Sequence, residues 1–236
     1  MKISVLGGGA FGTALAISLS TGDNSITLWG RNPKQVIAFS QDRENKDRLP
    51  NCPFPTSLCV TSDLELACDA DAILIAVPTQ SLRKFTEENH TYLRGKTLIA
   101  CCKGFDMETG KGPVDMLKNA SDQAAILTGP SFANDIARGL PTALTLGCEQ
   151  AVLGIALQNQ LTSKNIRLYR TQDIIGAELG GGLKNVIAIC CGAAIGYHLI
   201  RISYFFQLKR YKMNTIAKVE PRGYFFSRQI RNFIFP

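Results

Sequence analysis

Short apolar runs alternate with amphipathic stretches along most of the chain. The runs are rich in aliphatic and β-branched residues, the pattern of strands that are buried on both faces of a sheet. This pattern predicts strands at residues 2–6, 26–29, 72–77, 97–101, 125–128, 142–146 and 166–169. It predicts helices between them at residues 10–20, 33–42, 80–89, 114–119, 132–138 and 150–161. Such alternation indicates an α/β fold with a doubly wound, mostly parallel sheet.

The pattern changes after Thr171, where one long helical stretch over residues 173–195 follows without strand signals. We therefore predict a domain over 1–171 and a second, helical domain that begins at 172. The run 186–200 carries no formal charge but is shorter than the roughly 20 residues that span a bilayer, so it predicts a buried helix and no membrane span.

Charge separates the last 40 residues from the rest of the chain. Residues 1–196 hold 18 basic and 18 acidic side chains, so the net charge of +7 lies entirely in 197–236, together with 10 of the 19 aromatic residues. A basic, aromatic tail could stack on bases or bind an anionic membrane, but no nucleic-acid motif frames it. We interpret 197–236 as an atypical segment that results from a change of reading frame. We expect no nucleic-acid partner.

Cysteine spacing argues against a disulfide scaffold and against a metal site. The eight cysteines are about 3% of the chain, where disulfide scaffolds exceed about 8%. No zinc-binding spacing occurs, so we expect reduced thiols and no metal. The apolar start is interrupted by Gly7, Gly8, Gly9 and Gly12, which are poor in a signal helix, and this predicts a cytoplasmic protein.

The same glycines form a nucleotide-binding pattern. The predicted strand 2–6 runs into Gly7-Gly8-Gly9-Ala10-Phe11-Gly12, a Gly-x-Gly-x-x-Gly between a strand and an apolar helix. In a Rossmann fold these glycines allow a tight turn, close approach of the backbone to a pyrophosphate, and helix–strand packing. A glycine turn without a ligand is the alternative.

Arg31 follows the second strand, where an acidic residue would accept the ribose of NAD. A guanidinium there can pair with a 2′-phosphate, so the cofactor is NAD or NADP; a solvated arginine is the alternative. Two lysines suit the reduction of an anionic ketone. Lys103 follows the strand 97–101, and Lys184 lies in an otherwise apolar helix; surface lysines are the alternative reading.

Several motifs carry a family resemblance. In order, they lie at 7–14, 28–32, 76–80, 102–104, 108–110, 127–133 (with Gly-Pro-Ser-Phe-Ala at 129–133), 139–142 and 178–190. Through them, residues 1–196 resemble the bacterial NAD(P)-dependent glycerol-3-phosphate dehydrogenases. The resemblance implies the reversible reduction of dihydroxyacetone phosphate to sn-glycerol 3-phosphate, a precursor of phospholipids.

The resemblance also implies roles for single residues. Lys184 would donate and accept the proton and bind substrate, Lys103 would contact substrate and cofactor, and Gly129 and Ser131 would bind the triose phosphate. The implied cofactor contacts are Gly7, Gly9, Ala10, Phe11, Gly12, Arg31, Lys103 and Ala133, with Ala10 in place of the family's usual serine.

The resemblance stops near Gly196, whereas the family continues with a longer helical domain. Residues 172–196 would then be the first helix of a truncated substrate domain. An inactive nucleotide-binding remnant, the product of a pseudogene, is the alternative to an active enzyme, and a homodimer is left open.

Overall fold

The computed structural model describes the backbone of residues 1–196 and, apart from residues 185, 195 and 196, their side chains. The strands are β1 Lys2–Leu6, β2 Ser25–Trp29, β3 Glu44–Asn45, β4 Leu49–Pro53, β5 Cys59–Thr61, β6 Ala72–Ile75, β7 Thr97–Ala100, β8 Ala124–Thr128, β9 Thr142–Gly147 and β10 Ile166–Thr171. The helices are α1 Ala10–Leu19, α2 Pro33–Asp42, α3 Leu64–Cys68, α4 Thr79–Glu88, α5 His90–Leu93, α6 Pro113–Lys118, α7 Ala133–Ala137, α8 Ala151–Leu161 and α9 Ile174–Gly196.

Eight strands form one sheet in the order β10-β9-β8-β7-β6-β1-β2-β5. All neighbours are parallel except β8 and β9, which run antiparallel, so β10 also opposes the main direction. The mostly parallel α/β fold predicted from the sequence is therefore confirmed. The strand order reverses direction between β1 and β6, and ligands of such sheets bind outside the carboxyl ends of the strands at this point.

Successive side chains of each strand point to opposite faces of the sheet, and this divides the core into two layers. In β6, Leu74 belongs to the apolar cluster on one face of the sheet, while Ile73 and Ile75 belong to the cluster on the other. Helices α1, α7 and α8 contribute to the first layer, and α3 to α6 contribute to the second. Because both faces are covered, nearly every residue of the central strands is apolar, which is why the strands were visible in the sequence.

The sequence prediction missed the short elements between residues 44 and 93. Strands β3 and β4 form a separate two-stranded sheet, and β5 pairs with β2 at the sheet edge. Helices α3 and α5 contain five and four residues. Elements of this length are too short to display a period of hydrophobicity, so only their tertiary pairing reveals them.

Residues Met1–Leu183 form one compact unit, and α9 continues beyond it. The predicted domain boundary at 171/172 stays a prediction, and the segment 197–236 lies outside the described residues. The expectation of a buried helix from residue 186 onward is wrong where it can be compared, since Val186, Ile187 and Ile189 are exposed. Burial needs a facing surface, which the hydrophobicity of a segment does not supply. By length and composition, Ile174–Ala194 could cross a membrane, a criterion that core helices of soluble proteins also meet.

Candidate dinucleotide and substrate site

The glycine loop after β1 lies at the switch point of the sheet. The amide of Gly7 donates to the carbonyl of Trp29 at 3.0 Å, and the amide of Ala76 donates to the carbonyl of Leu6 at 2.8 Å, so the loop lies between β2 and β6. Gly7 has φ +137°, and a Cβ there would lie 2.6 Å from the carbonyl oxygen of Ala76. Only glycine can occupy this turn, as the sequence pattern predicts.

The other two glycines of the pattern have different surroundings. A Cβ on Gly12 would collide with the carbonyl oxygen of Gly7 and lie 3.0 Å from Cβ of Ala76, so its missing side chain allows α1 to pack onto the sheet edge. Gly9 precedes α1, and a Cβ there would meet no atom of the described residues within 4 Å. The protein packing therefore does not require glycine at position 9, and the space in front of it is open to a ligand.

The start of α1 fits a pyrophosphate. Ala10 and Phe11 stand in the first turn of this ten-residue helix, whose first amide groups have no partner within the helix and point outward. These amides and the positive end of the helix dipole favour an anion beside Gly9. Arg31 is exposed two residues beyond the end of β2, the neighbour of β1, which is where the ribose of a dinucleotide would lie.

Lys103 extends from the carboxyl end of β7 toward this loop. Its Nζ donates to the carbonyl of Gly129 at 3.3 Å and lies 5.5 Å from the ring centroid of Phe11. The structure thus brings together the predicted cofactor residue Phe11, the predicted substrate residue Gly129, and the lysine predicted to contact both ligands. The region between the glycine loop and the loop that follows β8 is called the cleft. An ammonium group in this half-buried position provides positive charge there.

The loop after β8 supplies the other predicted substrate contacts. Gly129 has φ +155°, and a Cβ there would lie 3.1 Å from the carbonyl oxygen of Ala143. The Oγ atom of Ser131 is buried and has no hydrogen-bond partner among the described residues. A buried hydroxyl without a partner is costly, so this atom suits a polar ligand group. Ala133 starts α7, which packs against α1 beside the glycine loop.

Thiol chemistry has no support beside Lys103. Burial raises the pKa of Cys102 to about 11, and it raises the pKa of Cys101 well above the usual range. Both thiols therefore stay protonated and weakly nucleophilic at neutral pH. All eight cysteines are free, and residues 1–196 show no group of side chains that could hold a metal ion.

Comparison with known proteins identifies the family. The family described as the NAD-dependent glycerol-3-phosphate dehydrogenase N-terminus matches residues 2–153, more than half of the chain. A glycerol-3-phosphate dehydrogenase [NAD(P)+] of Roseobacter denitrificans is 53% identical over 201 residues, and one of a Ruegeria species is 54% identical over 201 residues. The chain belongs to the NAD-dependent glycerol-3-phosphate dehydrogenase family. The resemblance seen in the sequence motifs is confirmed.

The chain spans only part of its relatives' length. Both alignments cover 84% of this chain and 62% of the relative. A crystal structure of glycerol-3-phosphate dehydrogenase from Coxiella burnetii superposes with a TM-score of 0.77 and 29% identity, again over 84% of this chain and 62% of that one. A structure from Plasmodium falciparum, 20% identical with a TM-score of 0.78, shares the fold. The dinucleotide-binding fold of the family is therefore present here.

Lys184 lies on α9, past the end of the compact unit, and is half-buried. Its predicted catalytic role stays a prediction. The site residues Gly7, Gly9, Phe11, Gly12, Lys103, Gly129 and Ser131 all belong to the compact unit.

Glu178, which the sequence analysis cited only as part of a motif, has a definite structural role. It is 6% exposed, and its Oε1 accepts a hydrogen bond of 2.8 Å from the amide of Val114 at the start of α6. Gly112 leaves the room for this carboxylate, because a Cβ there would collide with it. The glutamate thereby ties the first turns of α9 to α6. A single acidic residue in an apolar helix was the signal that could have identified it.

The pH dependence of stability tests this contact. Burial is the main cause that raises the pKa of Glu178, with a smaller contribution from Asp115, while the Val114 amide and Lys118 act in the opposite direction. A raised pKa means that the folded state favours the protonated acid, so the stability that Glu178 contributes is present below its usual pKa of about 4.3 and lost as pH rises through the raised value.

We therefore expect the stability of the wild type to fall relative to Glu178→Gln as pH increases from about 4 to 7. Glutamine keeps the acceptor oxygen for Val114 but does not ionise. Urea unfolding at several pH values measures the difference, and Glu65→Gln, an exposed glutamate, is the control. A difference that stays constant with pH would contradict the assignment.

Proposed function

We propose that this protein reduces dihydroxyacetone phosphate to sn-glycerol 3-phosphate, reversibly, with NADH or NADPH. The observation that carries the proposal is the position of the Lys103 ammonium group, between Phe11 of the glycine loop and the Gly129 carbonyl. This is a place where one cation can act on a dinucleotide and on a phosphorylated ketone at the same time. Family membership supplies the substrate class.

The residues of the site divide the work of such a reaction. The nicotinamide cofactor supplies the hydride when bound. The glycine loop and the first turn of α1 hold the anionic pyrophosphate, and Lys103 stabilises negative charge that develops on the carbonyl oxygen. Gly129 and Ser131 bind the triose phosphate. Lys184 delivers the proton to the new alkoxide, the role that the family motif implies for it.

Two further proposals concern the cofactor and the cellular role. Arg31 near the expected ribose position favours acceptance of NADP as well as NAD, because a guanidinium can pair with the 2′-phosphate. We also propose that the product serves phospholipid synthesis in the cytoplasm, in line with the family. We also propose that the protein forms a homodimer, which a measurement of its molecular mass in solution would test.

A second candidate function is dinucleotide binding without turnover. The glycine loop, Lys103 and the Gly129 loop all lie within Met1–Leu183, whereas the chain spans 62% of its relatives' length. The residues proposed to bind the cofactor thus lie together in one compact unit, which supports a proposal of cofactor binding by this unit.

One assay separates the two candidates. We expect the purified chain to oxidise NADH and NADPH when dihydroxyacetone phosphate is added, and Lys184→Ala to abolish this turnover. Cofactor binding is followed in parallel by nicotinamide fluorescence. Binding without turnover would favour the second candidate, and the absence of both would contradict both.

A further inference from the structure

The backbone of Lys103 is held by the first turn of α4. The hydroxyl of Thr79 donates to the carbonyl of Lys103 at 2.6 Å. Thr79 is 7% exposed and follows the loop after β6, so it stands at the same edge of the sheet as the end of β7. The lysine whose amine points into the cleft is therefore fixed at its main chain by a buried side chain from the neighbouring strand–helix unit.

Gln80 holds the residues that follow Lys103. Its Nε2 donates to the carbonyl of Phe105 at 2.8 Å, and its Oε1 accepts from the amide of Met107 at 3.1 Å. Both halves of one amide group are thus used on one segment of the loop. The side chain of Gln80 is otherwise exposed. These two hydrogen bonds, which need one donor and one acceptor, are therefore the reason why an amide suits this position.

The same loop carries a third attachment to α4. Asp106 is 3% exposed; one of its carboxylate oxygens accepts from the hydroxyl of Thr109 at 2.6 Å and lies 3.4 Å from Nε of Arg83, which also pairs with Glu108. Positions 79, 80 and 83 of α4 therefore contact the loop from Lys103 to Glu108. Gly104, with φ +96°, allows the turn between Lys103 and this anchored part.

We propose that Thr79 and Gln80 are positioning residues that set where the Lys103 ammonium group stands in the cleft. Lysine has four rotatable bonds, so its amine reaches one place reproducibly only if the main chain is fixed. The hydrogen bond of Nζ to Gly129 and its contact with Phe11 then select one side-chain conformation. The proposal deepens the proposed function, on which its catalytic meaning rests.

The decisive measurement is the reactivity of the Lys103 amine, which requires no turnover. The chain is treated with an amine-reactive acylating reagent, and modification of Lys103 is followed by peptide mass spectrometry relative to exposed Lys84. In Thr79→Val, which keeps the shape and removes the hydroxyl, we expect the relative rate at Lys103 to rise about fivefold, the equivalent of one net hydrogen bond. Thr79→Ser restores the hydroxyl and should return the rate to the wild-type value.

The control variant is Thr86→Val. Thr86 is a buried threonine of the same helix whose hydroxyl donates to the carbonyl of Leu82 at 2.8 Å, a bond inside α4 that does not involve the loop. It loses the same kind of hydrogen bond and should leave the Lys103 rate unchanged. An equal rise in Thr79→Val and Thr86→Val, or no rise in Thr79→Val, would overturn the proposal.

Gln80→Ala keeps the test valid if Thr79→Val does not fold, since Gln80 is exposed. We expect it to raise the Lys103 rate, while Gln150→Ala, which removes an exposed side-chain bond to the carbonyl of Asp122, should not. Where the wild type turns over, both position-79 and position-80 variants should lower kcat more than they change the KM for NADH. If the wild-type chain shows no turnover but the variants show these labelling differences, the proposed function is refuted. The positioning role of Thr79 and Gln80 is then still supported.

Discussion

Replacing Lys103 by methionine is expected to lower kcat/KM for dihydroxyacetone phosphate by about 100- to 1000-fold, the effect typical of removing a group that stabilises charge in the transition state. Methionine keeps the length and the apolar stem of lysine but removes the cation, so the contact with Phe11 can persist without the charge. The loss should appear mainly in kcat, because the charge is required most where negative charge develops on the carbonyl oxygen. The rate of NADH oxidation measures it.

Lys111→Met is the matched control. Lys111 is an exposed lysine at the end of the same loop, so its replacement removes the same formal charge without touching the cleft. We expect it to retain wild-type kinetics. Equal losses in the two variants would indicate a general effect of net charge, and wild-type activity in Lys103→Met would contradict the role of the ammonium group.

The glycine loop gives the second large effect, and here two neighbouring substitutions should differ in kind. Gly12→Ala places a Cβ against the carbonyl oxygen of Gly7 and 3.0 Å from Cβ of Ala76, both of which belong to the packed edge of the sheet. Because backbone atoms cannot move aside cheaply, we expect a loss of about 3 kcal/mol in the free energy of unfolding, and with it the loss of dinucleotide binding.

Gly9→Ala should change the free energy of unfolding by less than about 1 kcal/mol, since Gly9 is only the N-cap of α1, and still weaken binding. Its Cβ meets no atom within 4 Å in the part of the chain that the structure describes, and its φ of −77° is accessible to alanine. The methyl group would instead occupy the space expected for the pyrophosphate, so we expect an increase of at least about tenfold in the Kd for NADH. Urea unfolding and nicotinamide fluorescence separate the two quantities. Tight binding by Gly9→Ala would show that no ligand approaches this backbone.

Much of the fold was predictable because its central strands are buried on both faces. The predicted strand at 2–6 and the predicted helix at 33–42 match β1 and α2 residue for residue. Other predicted elements are displaced by one or two residues at their ends, where capping and pairing decide the boundary. The antiparallel pairing of β8 with β9 could not be read from the sequence, since both directions bury the same apolar residues.

The residue types of the candidate site were predictable from the sequence. The residues that hold Lys103 in place were not. The spacing of Gly7, Gly9 and Gly12 after a strand indicated a dinucleotide loop, whereas the binding loop at 129–133 was implied only by the family resemblance. Thr79 and Gln80 were not recognised as supports of Lys103, because each lies more than twenty residues before the groups that it binds. Nothing in the local pattern of α4 distinguishes Thr79 from Thr86.

The sequence by itself determined the α/β class, the central strands and the glycine loop, because each depends on residues that are neighbours along the chain. The period of hydrophobicity reflects which side chains are buried, and the glycines mark positions where the backbone conformation or close packing excludes a side chain. Only the tertiary structure decided that the Lys103 ammonium group meets Phe11 and Gly129, that α4 holds the backbone of Lys103, and that Glu178 binds the start of α6. These contacts join segments that are distant in the chain, and the order of the strands in the sheet is what makes them neighbours.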